Sequence, residues 1–233
     1  MATEAQEMAA LMKLVPPEKA THVAIRNGSW FNPSTWRNGV VPGNGADVYI
    51  PAGTTVTYDS QSNARLHTVR VDGTLNFASN QNTKMMVDTF VNMPGGTLNI
   101  GTSTNPIQAN KTAQIIFTDN GPINTTWDPL QLSRGLISHG TANIYGADKL
   151  DFVALQGDAH AGATQLTLAG APTGWRVGDQ LVLGGTYYDN NGSNANNTKF
   201  HDEVLTITAI NGNQISFTNN DTGGNALRFA HTR

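Results

Sequence analysis

Cysteine is absent from the chain of 233 residues, which excludes disulfides and cysteine-based metal sites but leaves the compartment open, since exported proteins without cysteine are common. Charge is scarce as well. Asp, Glu, Lys and Arg make up 13% of residues, about half the ordinary share. The net charge of -3 supplies no basic field, which excludes nucleic acid as a partner and leaves a polyanion to be held only by a local Arg/Lys cluster. No apolar run reaches the eighteen or so residues that span a membrane. The opening Met1-Ala-Thr-Glu-Ala-Gln-Glu7 is acidic where a secretory leader is basic, so an exported form is expected to have lost its leader. Leu227 to Arg233 reads as a strand that stops abruptly, and the chain is expected to be the N-terminal piece of a larger polypeptide.

Asn, Thr and Gly are abundant in place of charge, and hydrophobic content is 38%, enough for one elongated core or a domain with an appendage. From Gly28 to Gly101, short apolar pairs recur at an interval of roughly twenty residues, the mark of stacked repeats. Val48 and Ile50, Val56 and Tyr58, Val69 and Val71, Leu75 and Phe77, Val87 and Val91, Leu98 and Ile100 are separated by turn residues. No helical pattern lies between them. The regular return without crossover helices predicts a solenoid of stacked strands.

The same stretch carries a family resemblance. SW, NPSTW, GVVPGNGADVYIPAGTTVTYD, VDGTLNF and GGTLNIGT occur in order, followed by Gly135-Leu-Ile-Ser-His-Gly140 and KLDFVAL. Over roughly residues 27 to 155 the chain resembles the G8 domain, named for its recurrent glycines. That domain occurs in large extracellular proteins, among them the cell-migration-inducing and transmembrane hyaluronidases and the fibrocystin-like receptors. The resemblance implies an all-β fold, a right-handed parallel β-helix of G8 type, in an extracellular or cell-surface protein associated with polysaccharide. It does not by itself imply catalysis.

Three segments are expected: a cap over 1–20, the G8-like β-helix over 21–155, and an antiparallel β-rich element over 156–233 that continues into further β-helix. Thr3 to Gln6 has the form of a capping box, and Met8, Leu11, Met12 and Val15 form one apolar face before Pro16-Pro17. This N-terminal capping helix is expected to close the first coil. Trp30 and Trp36 are expected to plug the start of the stack. Arg65, His67 and Arg70 form a basic concentration, but strict alternation puts His67 and Arg70 on opposite faces and reads them as solvated. The polar excursion 119–135 carries Trp127, a candidate for stacking on a ligand. His139, beside Gly140 in the SHG turn, is a further ligand candidate against a packing role.

Past Gly157, alternation of period two and a turn at Asn211-Gly212 predict antiparallel hairpins. Between them lies the stretch richest in chemistry, Thr186 to Glu203. Asp189, Asp202, Glu203 and His201 are the catalytic candidates, because paired carboxylates perform acid–base glycoside hydrolysis. Carboxylates with Asn carbonyls also bind Ca²⁺, and the sequence leaves cofactor and metal open. Tyr187, Tyr188 and His231 join Trp127 and His139 as ligand-binding candidates. The function expected is a recognition and scaffold segment of an exported polysaccharide-active protein, hyaluronidase-like if enzymatic. The alternative is a non-catalytic cell-surface adhesion or structural module.

Overall fold

The computed structural model describes residues 4–187 and 200–233. The chain divides into two compact units, Met1–Ala147 and Asp148–Arg233, ahead of the change in pattern near Gly157.

The first unit opens with a helix, α1 (Glu4–Leu14), and continues in strands. In order these are β1 (His22–Val23), β2 (Gly28–Ser29), β3 (Asp47–Ile50), β4 (Thr55–Tyr58), β5 (Gln61–Val71), β6 (Thr74–Phe77), β7 (Thr83–Asn92), β8 (Thr97–Ile100), β9 (Ala113–Phe117), β10 (Leu136–Ser138) and β11 (Thr141–Ile144). They alternate between two parallel sheets. One has the order β1-β3-β5-β7-β10, with β9 also paired to β7, and the other has the order β11-β8-β6-β4-β2.

This corrects the expected right-handed parallel β-helix. Periodicity alone implies rungs of one coil, whereas the chain builds two separate parallel sheets and a third, antiparallel one. The rungs are also unequal, since β5 runs eleven residues and β6 only four. An apolar pair signals that a strand is half-buried, and it carries no information on which sheet receives it.

Side chains on the inner faces meet in one core. Val48, Ile50, Val69 and Val71 come from the first sheet and Val56, Leu75 and Leu98 from the second, each at most 2% exposed. Burying one such side chain stabilises by roughly 1.5–3 kcal/mol. Trp30 and Trp36 are buried at the start of this core, with ring centroids 5.0 Å apart in a T-shaped pair. The Trp36 indole N–H donates to the Trp30 carbonyl at 2.7 Å, so the polar tip is satisfied inside. Where the chain passes from one sheet to the other, backbones come too close for a side chain. A Cβ on Gly96 would stand 2.3 Å from the Val71 carbonyl oxygen, and one on Gly140 would stand 2.4 Å from that of Gly96.

The helix is placed differently from expectation. Leu11, Leu14 and Val15 pack on Val91 and Met93, with Met8, Trp127, Leu132 and Ile137 around them. It therefore lies on the outer face of the six-stranded sheet, not over the first coil, because Val91 projects away from the core. Arg70 of β5 fastens its end. Arg70 is 5% exposed, and its guanidinium donates to both carboxylate oxygens of Asp72 at 2.7 and 2.9 Å and to the Val15 carbonyl at 3.0 Å.

The second unit contains β12 (Gln165–Thr167), β13 (Gln180–Leu183), β14 (Glu203–Asn211) and β15 (Gln214–Asn219), paired antiparallel in the order β12-β15-β14-β13. β14 and β15 meet through the tight turn at Gly212, whose φ of 62° needs glycine. Its core is small: Leu166, Leu168, Leu205, Ile215, Phe217 and Leu227.

Candidate functional site

The candidate site of the first unit arises from a break in alternation. In β5 the core receives Leu66, Val69 and Val71, and in β7 it receives Val87 and Phe90. Two inward residues three apart leave two consecutive residues facing out. These are His67 and Thr68 in β5, and Asp88 and Thr89 in β7. The strands are in register across the break, with Leu66 opposite Val87 and Val69 opposite Phe90. His67 and Arg70 consequently share the outer face, against the expectation from strict alternation, because the irregularity breaks period two between them.

Asp47 of β3 organises this surface. One of its carboxylate oxygens pairs with His67 Nδ1 at 2.7 Å and accepts from the Thr68 hydroxyl at 2.7 Å. Burial pushes the Asp47 carboxyl up, but the hydrogen bonds from His67 and Thr68 outweigh it and hold it below the usual range. The bond to Asp47 in turn raises the His67 imidazole against the opposing effect of burial. The result is a carboxylate–imidazole pair at the surface.

The excursion after β9 is tied down beside it. The Thr89 hydroxyl donates to one oxygen of Asp88 at 2.8 Å, and the Asn120 amide donates to the other at 2.7 Å. The Arg134 backbone N–H donates to Thr89 Oγ1 at 3.0 Å, and its guanidinium stands 3.6 Å from Asp88. Asp128, buried within the excursion, accepts from the backbone N–H groups of Leu132 and Ser133. These bonds fix Trp127, whose ring lies 4.8 Å from that of His67 at 36°. Trp127 separates two clefts. Lys13, Pro16, Lys19 and Arg70 line one, and Pro122, Asn124, Ser133 and Arg134 line the other. Among the lining residues, four cations (Lys13, Lys19, Arg70, Arg134) face two carboxylates (Asp47, Asp88). A chain that is acidic overall brings Lys13, Lys19 and Arg134 together beside Trp127 from positions far apart in sequence, while the Arg70 charge is already met by Asp72.

The remaining candidates fall elsewhere. His139 is exposed at the turn after β10 and lines neither cleft. Asp189 and Tyr188 lie outside the described residues. Glu203 and His231 are brought together, but in the interior of the second unit, at 0% and 1% exposure. Glu203 accepts from the backbone N–H groups of Arg228 and Phe229 at 2.8 and 3.1 Å and from the Asn219 amide, and His231 Nε2 stands 3.0 Å away. The other ring nitrogen of His231 donates to the Gly184 carbonyl at 2.9 Å. Burial raises the Glu203 carboxyl, yet these donors prevail and hold it below the ordinary value. Such an enclosed carboxylate anchors the segment after β15 and offers no open oxygen to a substrate.

Asp202 is exposed and accepts from the Gly185 backbone N–H at 2.6 Å. His201 stacks on Phe229, with centroids 4.1 Å apart and rings 2° from parallel, and Tyr187 lies 5.6 Å beyond. Among the described residues, no three His, Asp or Glu side chains are grouped to hold a metal ion. Among the described residues, no helix is long and apolar enough to cross a membrane.

Two parallel sheets, joined through glycine corners and carrying a tethered polar excursion, define the first unit as a stacked-strand scaffold. The G8 domain family matches residues 35–156, more than half of the chain, and the chain belongs to that family. It is similar to a G8 domain-containing protein of Dictyostelium discoideum, with 29% identity over 81% of this chain and 13% of that protein. Communication mutant protein F of the same organism is 26% identical over 82% of this chain and 17% of its own length. Human Fibrocystin-L is 24% identical over 87% of this chain and 4% of its own. The chain therefore spans less than a fifth of these relatives. No solved structure matches it.

Proposed function

We propose that this chain is a recognition and scaffold module of an exported, cell-surface protein, and that it engages an acidic polysaccharide in the clefts beside Trp127. The observation that supports this reading is the convergence of Trp127, the Asp47–His67 pair and the surrounding cations on one concave, tethered surface. A tryptophan wall serves the apolar face of a sugar ring. Fixed hydroxyl, amide and imidazole groups serve its hydroxyls, and the lysines and Arg134 serve a carboxylate. Placement outside the cell follows the G8 likeness.

The alternative of a non-catalytic module is favoured over hydrolysis by one feature. Of the described carboxylate candidates, Glu203 is enclosed by four partners and Asp202 caps the Gly185 amide. Two open carboxylates across a cleft are what glycoside hydrolysis requires. The test is affinity electrophoresis of the chain in gels containing hyaluronan, with Trp127→Ala and Lys19→Ala. Binding that weakens about tenfold in Trp127→Ala, equivalent to ~1.4 kcal/mol, supports the cleft. Undiminished binding in both folded variants removes it.

A further inference from the structure

We infer that the outer face of the five-stranded sheet is a second saccharide surface, which takes a neutral polysaccharide chain laid across its strands. The inference shares with the reading above only the class of ligand, and it concerns the opposite chemistry on a different face.

The face is built by repetition. β4, β6, β8 and β11 carry Thr55-Val-Thr57, Thr74-Leu-Asn76, Thr97-Leu-Asn99 and Thr141-Ala-Asn143. Their parallel register puts Thr55, Thr74, Thr97 and Thr141 in one file and Thr57, Asn76, Asn99 and Asn143 in the next. The central residues Val56, Leu75 and Leu98 point into the core at 0% exposure, so both files face outward on β4, β6 and β8, whereas Ala142 of the end strand β11 is exposed. Files repeat at the strand spacing of ~4.8 Å and stand ~6.6 Å apart along each strand.

The amides are ordered among themselves. Asn99 Nδ2 donates to Asn76 Oδ1 at 2.7 Å, and Asn143 Nδ2 donates to Asn99 Oδ1 at 2.8 Å. Each carboxamide has two N–H donors and two acceptor lone pairs. The ladder uses one N–H per donor, so it fixes orientation and leaves a second row of donors and acceptors for a ligand.

A groove follows the amide file. Thr57, Asn76 and Asn99 form its floor, and the loops carrying Ser79, Thr102 and Asn105 form its wall, with the Ser79 hydroxyl donating to Asn105 Oδ1 at 2.9 Å. It is an open depression of about 390 Å³, within the range of ligand clefts. No charged side chain lines it, and Asp59, which accepts from the Ser29 hydroxyl, is not among its lining residues. An acidic polymer finds no cation there. Of the groove's own lining the one aromatic, Phe77, is buried at 4%, so the groove gives a protein partner no exposed aromatic anchor of the kind interfaces use. A repeating, uncharged polymer of hydroxyls matches the chemistry of this uncharged, repeating file of hydroxyls and amides.

The experiment is co-sedimentation of the full chain with microcrystalline cellulose and insoluble xylan, with hyaluronan gel retardation run in parallel. Asn76→Val/Asn99→Val removes the floor. Thr57→Val/Thr74→Val removes hydroxyls isosterically and keeps β-branched side chains suited to strands, so it guards against loss of folding in the first variant. Retention on the neutral polymers falls about tenfold or more in both folded variants, as expected for two lost hydrogen-bonding groups, while hyaluronan binding is unchanged. Equal retention by wild type and variants, or no retention of the wild type on either neutral polymer, overturns the inference. Loss of hyaluronan binding in Trp127→Ala with no neutral binding leaves the cleft and removes the ladder. Neutral binding that needs the ladder, with hyaluronan binding absent, does the reverse.

Discussion

The two units solve the same problem by different means. The parallel unit has enough apolar surface to be held by stacking: Val, Leu and Ile from two sheets interdigitate, and the buried Trp30 and Trp36 close the beginning. The antiparallel unit has a four-stranded sheet and a handful of buried aliphatic residues, so its chain end is secured instead by a carboxylate. Glu203 at the start of β14 gathers Asn219, Arg228, Phe229 and His231, drawing residues up to 28 positions away onto one side chain. Distributed packing tolerates local loss. A single ionic hub does not.

The largest test of that contrast is Glu203→Ala. It leaves His231 buried opposite a cavity and strands two backbone N–H groups, and removing one member of such a buried pair costs ~3–5 kcal/mol. Hydrogen exchange should show β13 to β15 losing protection while β3 to β8 keep theirs; equal loss in both units would end the comparison. Leu75→Ala probes the other side. A truncated core leucine costs about 3 kcal/mol, and the loss should appear across both parallel sheets and spare the second unit.

Acid separates the units more finely. The folded Glu203 carboxyl is held below its usual value, so its contribution is complete above the unfolded pKa of ~4.3 and is lost as pH falls through the depressed folded value. Unfolding of the second unit should therefore sharpen below about pH 4, and Glu203→Gln should flatten that dependence in a pH series of melting curves. His67 gives the smallest effect and the opposite sign. Its folded pKa is raised, so the Asp47–His67 contribution is present below ~6.5 and fades as pH rises through the raised value. Trp127 fluorescence should report this change, because the rings are 4.8 Å apart, and His67→Asn should abolish it.

Which parts of this were visible in the sequence follows from the range of the forces involved. Strand segments such as Val48–Ile50 and Leu75–Phe77 announce themselves locally, because alternation is a property of neighbouring residues. Their assignment to two sheets is set by pairing between residues about twenty positions apart, for which no local sign exists. Trp127 stood out as a lone large aromatic in a polar excursion. Its neighbours did not, since His67 and Arg70 were separated by an alternation that the strand does not keep. Glu203 looked catalytic for the same reason: the donors that enclose it come from Asn219 and from residues 228–231, far along the chain. The Thr-x-Asn pattern was in plain view as VDGTLNF and GGTLNIG, but it served to mark strands, and its outward face acquired meaning only once the register was known.

The paired irregularity of β5 and β7 behaves like a dislocation in a layered solid. On one side of the line running through His67–Thr68 and Asp88–Thr89, odd and even positions have exchanged their roles of facing in and out relative to the other side. Where β5 meets β3 the fault closes as a bulge, with the backbone N–H groups of His67 and Thr68 both donating to the Ala46 carbonyl, so β5 and β7 share it and β3 does not. A deletion that restores regular alternation in β5 would turn the remainder of that strand inside out against its neighbour unless β7 changed with it. The polar cleft is the surface trace of the line that β5 and β7 share.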